Sequence, residues 1–307
     1  MSGRGKKNKV SQSPAKKNSE SEKLAQQEVS LSPKILNKYE RLKQRLASLG
    51  GAVIAYSGGV DSTFLLRVAH EVLKDKVLAV VASSLTYPER EVRQAIKLAK
   101  EMGVRVCRIK TKEMANPSFL ANPPDRCYHC KQELFSSLKK IAAREKLPFV
   151  LDGANYDDRR DYRPGARAAR ELGIISPLAE VRLKKEEIRL LSRWLGLPTW
   201  DKPSLACLAS RLPYFTEIKP ERLARIARAE NFLLRAGFKQ VRVRHESDDL
   251  VRLEIEPEEM PLIIEPALRK RLIRQLKSLG YNYITLDLEG YRPGSLNLRL
   301  KKKIPAD

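Results

Sequence analysis

Short apolar runs alternate with amphipathic segments over the first two thirds of the chain. Apolar residues at helical spacing predict helices, and short runs rich in Val, Ile and Ala predict strands. The predicted order is a helix from Pro33, a strand at 52–56, a helix through Leu65 and Val72, a strand at 77–82, a helix at 89–102, a strand at 104–109, a helix at 131–145 and a strand at 149–152. This alternation is typical of a parallel sheet covered on both faces, so we predict an α/β fold with a doubly wound, mostly parallel sheet.

The pattern changes after about Pro213. A helix at 220–236 is followed by strands at 241–245 and 250–255, a helix at 261–279 and a strand at 283–288. We therefore predict a small C-terminal α+β domain over 214–307, for substrate binding or oligomerisation, after a nucleotide-binding domain over 33–213. Residues 1–32 lack aromatic side chains and are rich in Lys, Ser, Gln and Glu, which predicts a disordered basic tail.

Composition excludes two classes of protein. Four cysteines in 307 residues are too few for a disulfide scaffold, and no apolar run approaches the ~20 residues of a membrane span. The N-terminal segment has charge but no apolar core of a signal peptide. We expect a cytoplasmic protein without membrane contact, whose cysteines are reduced or bound to metal.

The chain is strongly basic, with 60 Lys and Arg against 37 Asp and Glu, a net charge of +23. A surplus of this size favours anionic partners such as nucleic acid, nucleotides or phosphorylated metabolites. It is equally compatible with a solvated basic surface, so charge alone does not select a substrate.

The segment Ser57-Gly58-Gly59-Val60-Asp61-Ser62 lies between a predicted buried strand and a helix. Its glycines let the backbone approach an anion, and the amides of the helix N-terminus point at that anion. It matches neither a Walker A loop nor a dinucleotide-binding loop. An ordinary strand-to-helix turn is the alternative interpretation.

Further polar residues follow neighbouring strands, where ligands of parallel sheets bind. Ser83 follows the second strand, and Gly153 and Asn155 follow the fourth. We predict that Gly153 leaves room for the adenine or ribose and that Asn155 orients ribose hydroxyls or Mg²⁺.

The hexapeptide resembles the pyrophosphate-binding loop of the PP-loop ATPase superfamily, whose fold is adenine nucleotide alpha hydrolase-like. The resemblance implies that ATP is split between its α and β phosphates and that AMP is transferred to a substrate oxygen. Ser57, Gly58, Gly59, Asp61 and Ser62 would bind ATP with Mg²⁺, and Asp61 and Ser62 would be essential for the reaction.

Cys127 and Cys130 form a C-x-x-C motif before a predicted helix, and Cys207 lies far along the chain, whereas Cys107 is expected to be a buried core thiol. A structural zinc site and a redox pair are alternatives, although zinc needs four good ligands and no thioredoxin-like unit is visible. Three thiolates fit a [4Fe–4S] cluster with one iron left open, which can bind sulfide. With the phosphate loop, this predicts ATP-dependent sulfur transfer.

Four segments together resemble the LarE family of sulfur transferases: SGGVDS, NPPDRCYHCK at 122–131, DGANYDDRRDYRPGARAARELG at 152–173 and KPSLACLASR at 202–211. The resemblance implies a pyridinium-3,5-biscarboxylic acid mononucleotide substrate, whose adenylated carboxylate becomes a thiocarboxylate in the synthesis of a nickel-pincer nucleotide. It also implies a homo-oligomer and a sulfide or persulfide donor. In one branch a cysteine matching Cys207 gives up its own sulfur; in another, three cysteines hold a cluster, which fits Cys127, Cys130 and Cys207 better. Whether Cys207 is sacrificial or only a ligand stays open.

Basic residues of the C-terminal part are candidates for binding the substrate phosphate. Arg242 and Arg244 project from the same face of a predicted strand, and guanidinium groups suit phosphate geometry. Ser210 and Arg211 are further candidates. The alternative is that Arg242 and Arg244 pair with Glu254 or Glu256 across the hairpin.

Three other functions compete with this interpretation. An iron–sulfur-dependent tRNA thiolase of the same superfamily would suit the basic charge, but no RNA-binding module is visible. An ammonia-using synthetase needs no cysteine constellation. A non-enzymatic nucleic-acid-binding protein leaves the phosphate loop and the cysteines unexplained.

Overall fold

The computed structural model describes residues 30–160, 164–203, 206–292 and 294–297. Apart from residues 30–32, the predicted basic tail lies outside the described residues. Ser204 and Leu205, in the segment that leads to Cys207, lie outside them as well.

The first part of the chain forms a parallel sheet between helices, as the alternation predicts. Its elements are α1 (Pro33–Ala47), β1 (Ala52–Ala55), α2 (Val60–Leu73), β2 (Val77–Ser83), α3 (Glu89–Glu101), β3 (Arg105–Lys110), α4 (Pro117–Leu120), α5 (Arg126–Arg144), β4 (Phe149–Leu151), α6 (Pro164–Glu171), α7 (Pro177–Glu180) and α8 (Lys185–Trp194). The strand order is β3-β2-β1-β4, and every pairing is parallel. The predicted doubly wound α/β fold is confirmed.

Both faces of this sheet are buried. Side chains such as Ile54 and Val81 pack on one face with α1, α2, α3 and α8, whereas Val53 and Val80 pack on the other face with α5 and α6. Successive residues of a strand point to opposite faces, so strands covered on both sides are apolar throughout. This arrangement places the ends of β1, β2 and β4 at one edge.

The C-terminal part forms a second, smaller sheet. Its elements are α9 (Pro220–Arg235), β5 (Val241–His245), β6 (Leu250–Ile255), α10 (Met260–Ile264), α11 (Pro266–Ser278) and β7 (Tyr283–Leu286). Strand β6 pairs antiparallel with β5 and parallel with β7. The core under this sheet also contains Phe119 and Leu208, which precede the predicted boundary at residue 214. Among the described residues, no helix is long and apolar enough to cross a membrane.

Three local predictions are wrong. Helix α5 begins at Arg126 rather than Lys131, so Cys127 and Cys130 lie inside the helix. The helix predicted over 261–279 is interrupted at Glu265, because a residue before proline disfavours helical geometry and the Glu265 carboxylate caps α11 by accepting from the amides that follow. Cys107 is only half-buried, since β3 is an edge strand.

The turn after β1 requires glycine at position 58. Gly58 has a φ of +70°, and a Cβ added there would lie 2.7 Å from the Cβ of Ala95 on α3. The phosphate loop is therefore pressed against a neighbouring helix at a point where neither residue has room for more atoms.

We expect Gly58→Ala to destabilise the protein more than Gly50→Ala, measured as the free energy of unfolding in urea. Both glycines have a φ of +70°, but nothing lies within 4 Å of a Cβ at Gly50. Gly50→Ala should therefore show only the left-handed backbone penalty of about 1–2 kcal/mol.

The Gly58→Ala/Ala95→Gly double variant serves as the control, because it removes the overlapping methyl group. This double variant should regain part of the free energy of unfolding that Gly58→Ala loses. The gain is reduced by the ~1 kcal/mol that a glycine inside a helix costs. Equal losses for Gly50→Ala and Gly58→Ala would contradict the crowding.

Candidate active site

The phosphate loop joins β1 to α2 and is held together by its own serines. The Ser57 and Ser62 hydroxyl oxygens lie 3.1 Å apart, and the Ser57 amide donates to Ser62 Oγ at 3.3 Å. Gly59 is the N-cap of α2 and has no side chain with which to cap it. The first amides of α2 are thus available to an anion, which is the arrangement expected of a phosphate site.

Asp61 forms an ion pair with a lysine that the sequence analysis missed. Lys185 Nζ lies 2.5 Å from Asp61 Oδ2, and Asp61 Oδ1 is buried without a partner among the described residues. Lys185 is the first residue of α8, where the helix dipole disfavours a positive charge. That unfavourable position was the one sequence signal that could have identified it.

Lys202 connects the phosphate loop to the segment that carries Cys207. Its Nζ donates to the Gly58 carbonyl at 3.0 Å and lies 2.8 Å from a carboxylate oxygen of Glu91 on α3. The cation is therefore fixed beside the loop at the start of the KPSLACLASR segment. Sequence reasoning quoted this lysine but assigned it no role.

The remaining predicted nucleotide contacts have structural partners. A Cβ at Gly153 would lie 3.1 Å from the Ser62 amide nitrogen, so the missing side chain lets the backbone lie close to the start of α2, and its contact with a nucleotide stays a prediction. Ser83 Oγ donates to the Ile109 carbonyl at 2.8 Å, and Asn155 Oδ1 accepts from the amides of Asp157 and Asp158. Contacts of Ser83 and Asn155 with a nucleotide stay predictions.

Two of the three candidate cysteine ligands, Cys130 and Cys207, approach the loop that follows β2. Cys130 Sγ lies 3.7 Å from the Tyr87 hydroxyl, and the Leu208 amide next to Cys207 donates to the Thr86 carbonyl at 2.9 Å. Cys127 is exposed in the first turn of α5, one turn before Cys130. The fold thus brings the C-x-x-C motif and Cys207 together.

Electrostatics shows the same proximity. Burial, followed by the charges of Cys207 and Glu113, raises the pKa of the Cys130 thiol to about 12. Burial also raises the pKa of Cys207, with Cys127 as the second cause. For Cys130, desolvation of the thiolate outweighs any stabilisation by the amides at the start of the helix. Metal binding there must release protons.

No group of three or more His, Cys, Asp or Glu side chains that could hold a metal ion is present in the described part of the chain. The three cysteines nevertheless supply the donor type that iron–sulfur clusters use, and their charges interact. The type of ligand therefore fits an iron–sulfur cluster, but the described residues do not form a ready-made site for a single metal ion.

Glu113 is a buried carboxylate beside the cysteines that the sequence did not reveal. Its Oε1 accepts hydrogen bonds from the hydroxyls of Ser84 and Thr86, whereas Oε2 has no partner among the described residues. A single glutamate in a short turn after a strand carries no sequence signal, so only the structure identifies it.

Arg211 holds the Cys207 segment in place. Its guanidinium forms two bonds with the Glu230 carboxylate, at 2.8 and 3.1 Å, and it also donates to the carbonyls of Ala206 and Cys207 and to Ser210 Oγ. The side chain is 2% exposed. Its donors bond inside the chain, so direct contact of Ser210 and Arg211 with substrate stays a prediction.

Arg244 takes the alternative that the sequence left open, a pair across the hairpin. Two bonds of 2.9 and 2.8 Å join it to Glu254, and it also donates to the Ser210 carbonyl and to Ser295 Oγ. The arginine therefore supports the segment that follows Cys207, and its contact with substrate stays a prediction.

Arg242 lies on the same face of β5 as Arg244 and its guanidinium sits 4.9 Å from the Tyr291 ring centroid. Burial, followed by the charge of Arg211, lowers its pKa to about 10. The group remains protonated at neutral pH, so an additional anion near it would be bound favourably.

Comparison with known proteins connects this geometry to a family. The NAD synthase family model matches residues 35–138, which contain the phosphate loop and the C-x-x-C motif. An uncharacterised protein of Synechocystis sp. is 46% identical over 87% of this chain and 99% of its own length. An uncharacterised protein of Methanocaldococcus jannaschii is 32% identical over 78% of this chain and 90% of its own.

A third relative carries a functional name. The pyridinium-3,5-bisthiocarboxylic acid mononucleotide synthase of Lactiplantibacillus plantarum is 37% identical over 87% of this chain and 96% of its own length. The similarity thus extends well beyond residues 35–138, which the family model matches. With the phosphate loop and the doubly wound sheet in place, the chain belongs to the LarE family of the PP-loop ATPase superfamily.

Proposed function

We propose that this enzyme is an ATP-dependent, AMP-forming sulfur transferase. Its substrate would be pyridinium-3,5-biscarboxylic acid mononucleotide or the half-thiolated form, and its product the thiocarboxylate used in nickel-pincer nucleotide synthesis. The observation that carries the proposal is the link between the two centres. Lys202 bonds to Gly58 of the phosphate loop and belongs to the same segment as Cys207. An ATP-activating site next to thiols is what sulfur transfer requires.

In the first step a carboxylate oxygen of the substrate attacks the α-phosphorus of ATP. The bond to the bridging oxygen breaks, and pyrophosphate leaves with its electron pair. The amides at the start of α2 and the loop Ser57-Gly58-Gly59 would bind the leaving pyrophosphate. Lys185 and Lys202 add positive charge there, and Asp61 Oδ1, which lacks a partner among the described residues, is a candidate ligand of Mg²⁺.

In the second step hydrosulfide attacks the acyl carbon of the adenylate. The carbon–oxygen bond breaks, AMP leaves, and the proton of the hydrosulfide is released to give a thiocarboxylate. Cys127, Cys130 and Cys207 would hold a [4Fe–4S] cluster, which supplies an open iron for sulfide when it is bound. The arginines around Ser210 hold the Cys207 segment in position for this step.

The basic charge of +23 keeps a tRNA thiolase as the second candidate. Both candidates release AMP, but they differ in the acceptor. Incubation of the pure protein with ATP and either bulk tRNA or the pyridinium dicarboxylate mononucleotide separates them. We expect AMP only with the mononucleotide, from a homo-oligomeric cytoplasmic enzyme supplied with sulfide or a persulfide.

ATP cleavage should produce AMP and pyrophosphate. The Asp61→Asn and Ser62→Ala variants should lose at least ~100-fold in rate, because Asp61 is the candidate ligand of the Mg²⁺ that neutralises the departing pyrophosphate and Ser62 is a hydroxyl donor in the loop that binds it. Chromatography of the nucleotides measures the products. Asp75→Asn, in the turn after α2, is the matched control and should retain activity. If the products were ADP and orthophosphate, the proposed AMP-forming reaction would be wrong.

Each of Cys127→Ala, Cys130→Ala and Cys207→Ala should lose both iron and sulfur transfer, because a cluster needs all three thiolates. Cys107→Ala, on the edge strand β3, should lose neither. Iron content after anaerobic purification and turnover with added sulfide are the measurements.

The sacrificial mechanism makes the opposite prediction for the same samples. If Cys207 lost the mass of one H2S in a single turnover, while Cys127→Ala remained active, the cluster proposal would be wrong. An unchanged protein mass through many turnovers supports it.

Arg244→Ala should lower the free energy of unfolding by about 1.5–3 kcal/mol, because it removes two hydrogen bonds to the buried Glu254 carboxylate, which keeps its ion pair with Arg252. It should also weaken mononucleotide binding and spare ATP binding. The Arg244→Ala/Glu254→Ala variant removes the carboxylate that has lost these bonds and should recover part of the stability, since Arg252 keeps its ion pairs with Glu246 and Asp287. If mononucleotide binding also recovers in this double variant, Arg244 acts through the fold and does not contact the substrate.

A further inference from the structure

Arg126 is a buried cation at the cysteine site that the proposed steps do not use. It is the first residue of α5, directly before Cys127, and is 5% exposed. Its guanidinium lies 4.9 Å from the Tyr214 ring centroid, and Nη1 is buried without a hydrogen-bond partner among the described residues. An unsatisfied guanidinium nitrogen in the interior costs free energy, so a ligand for it is expected.

The chain around Arg126 is fixed against the segment that follows Cys207. Asn122 Nδ2 donates to the Pro213 carbonyl at 2.8 Å, and the Phe215 amide donates to the Asn122 carbonyl at 2.9 Å. These bonds hold Tyr214 against the guanidinium. Arg126 therefore lies where the segment that carries Cys127 packs against the segment that follows Cys207.

The charge of the Arg126 guanidinium acts on the thiol of Cys207. Burial is the main cause that raises the pKa of Cys207, and the charge of Arg126 opposes it. No ion pair to Arg126 is present within the described ranges, and the nearby Glu113 carboxylate is bonded to the hydroxyls of Ser84 and Thr86. The start of a long helix adds positive potential at the same place. The local charge is thus suited to a small anion.

We propose that Arg126 binds the anionic sulfur donor, hydrosulfide, beside Cys127 and Cys207. This inference rests on the proposed function and names the residue that recognises its second substrate. The position favours sulfur over the phosphates of ATP, because Arg126 directly precedes Cys127 and its charge acts on Cys207, whereas Lys185 and Lys202 contact the phosphate loop. A guanidinium with a free donor attracts the charged form of sulfide and holds it next to the reaction centre.

The test uses Arg126→Gln and Arg126→Lys in the full chain, purified anaerobically, with sodium sulfide as the probe. For Arg126→Gln we expect the KM for sulfide to rise at least tenfold and kcat to stay within about twofold, since binding of the donor is weakened. Calorimetric titration with sodium sulfide should show a Kd raised by a similar factor. The KM and Kd of Arg126→Lys for sulfide should lie between those of the wild type and Arg126→Gln, because lysine keeps the charge but lacks the planar guanidinium.

Arg167→Gln is the matched control. Arg167 lies on α6, and its guanidinium is 3.9 Å from the ring centroid of Tyr128 on α5. Because Arg167 is exposed, this variant removes the same charge from a nearby surface. It should leave the KM for sulfide unchanged. A rise in KM as large as that of Arg126→Gln would overturn the proposal, since it would reflect general attraction of anions.

Other outcomes also overturn it. They are an unchanged sulfide KM and Kd in Arg126→Gln, or a loss of iron and of ATP–pyrophosphate exchange equal to the loss of sulfur transfer, which marks a structural role. If Arg126→Gln does not fold, Arg126→Lys decides, and a wild-type sulfide KM and Kd in that variant overturns the assignment. If the wild-type protein shows no exchange with the pyridinium mononucleotide, the proposed function fails, while the Kd for sulfide still tests Arg126 independently.

Discussion

A buried ion pair between Arg211 and Glu230 fixes the Cys207 segment to the C-terminal sheet, and the geometry of the site depends on it. Arg211 bonds to two carbonyls of that segment, and the Glu230 carboxylate also accepts from the Val243 amide of β5. Helix α9, strand β5 and the cysteine loop therefore share one pair of side chains. Because breaking a buried pair leaves an uncompensated charge, this junction resists displacement of the loop. The cysteine at its end is consequently held by both parts of the fold.

The distribution of cations gives part of the basic excess a local explanation. Lys185 and Lys202 lie beside the phosphate loop, and Arg126, Arg211, Arg242 and Arg244 lie around the Cys207 segment. Glu230 and Glu254 compensate two of these arginines, and burial lowers the pKa of Arg242 to about 10 without neutralising it at physiological pH. The interior near the site thus keeps positive charge, which suits a reaction whose substrates are all anions. Part of the basic excess therefore lies inside the molecule.

Local sequence patterns predicted the fold well, but they did not identify side chains that pair across a long separation in the chain. The periods of apolar residues located the strands of the parallel sheet, because burial on both faces leaves a strong signal in each run. The SGGVDS turn was likewise visible, since its glycines and hydroxyls are contiguous. The Asp61–Lys185 pair joins residues 124 positions apart, and no periodicity relates them. Gly153 was predicted to leave room for the adenine or ribose, whereas its close approach to the start of α2 could be seen only in three dimensions. The early start of α5 was missed because its first turns contain no Leu, Ile or Val, so the apolar period of the helix begins only at Leu134.

The contact between Gly58 and Ala95 has a consequence for interpreting natural variants of this enzyme. Ala95 lies on α3, buried, with no polar group to offer a ligand. A larger residue there would push directly on the backbone that receives the nucleotide phosphates, since protein interiors transmit strain rather than absorb it. In a comparison of sequences, such a change would look like a conservative substitution of one apolar residue by another. Its phenotype would be that of a defective phosphate loop, produced by a residue that never touches the nucleotide.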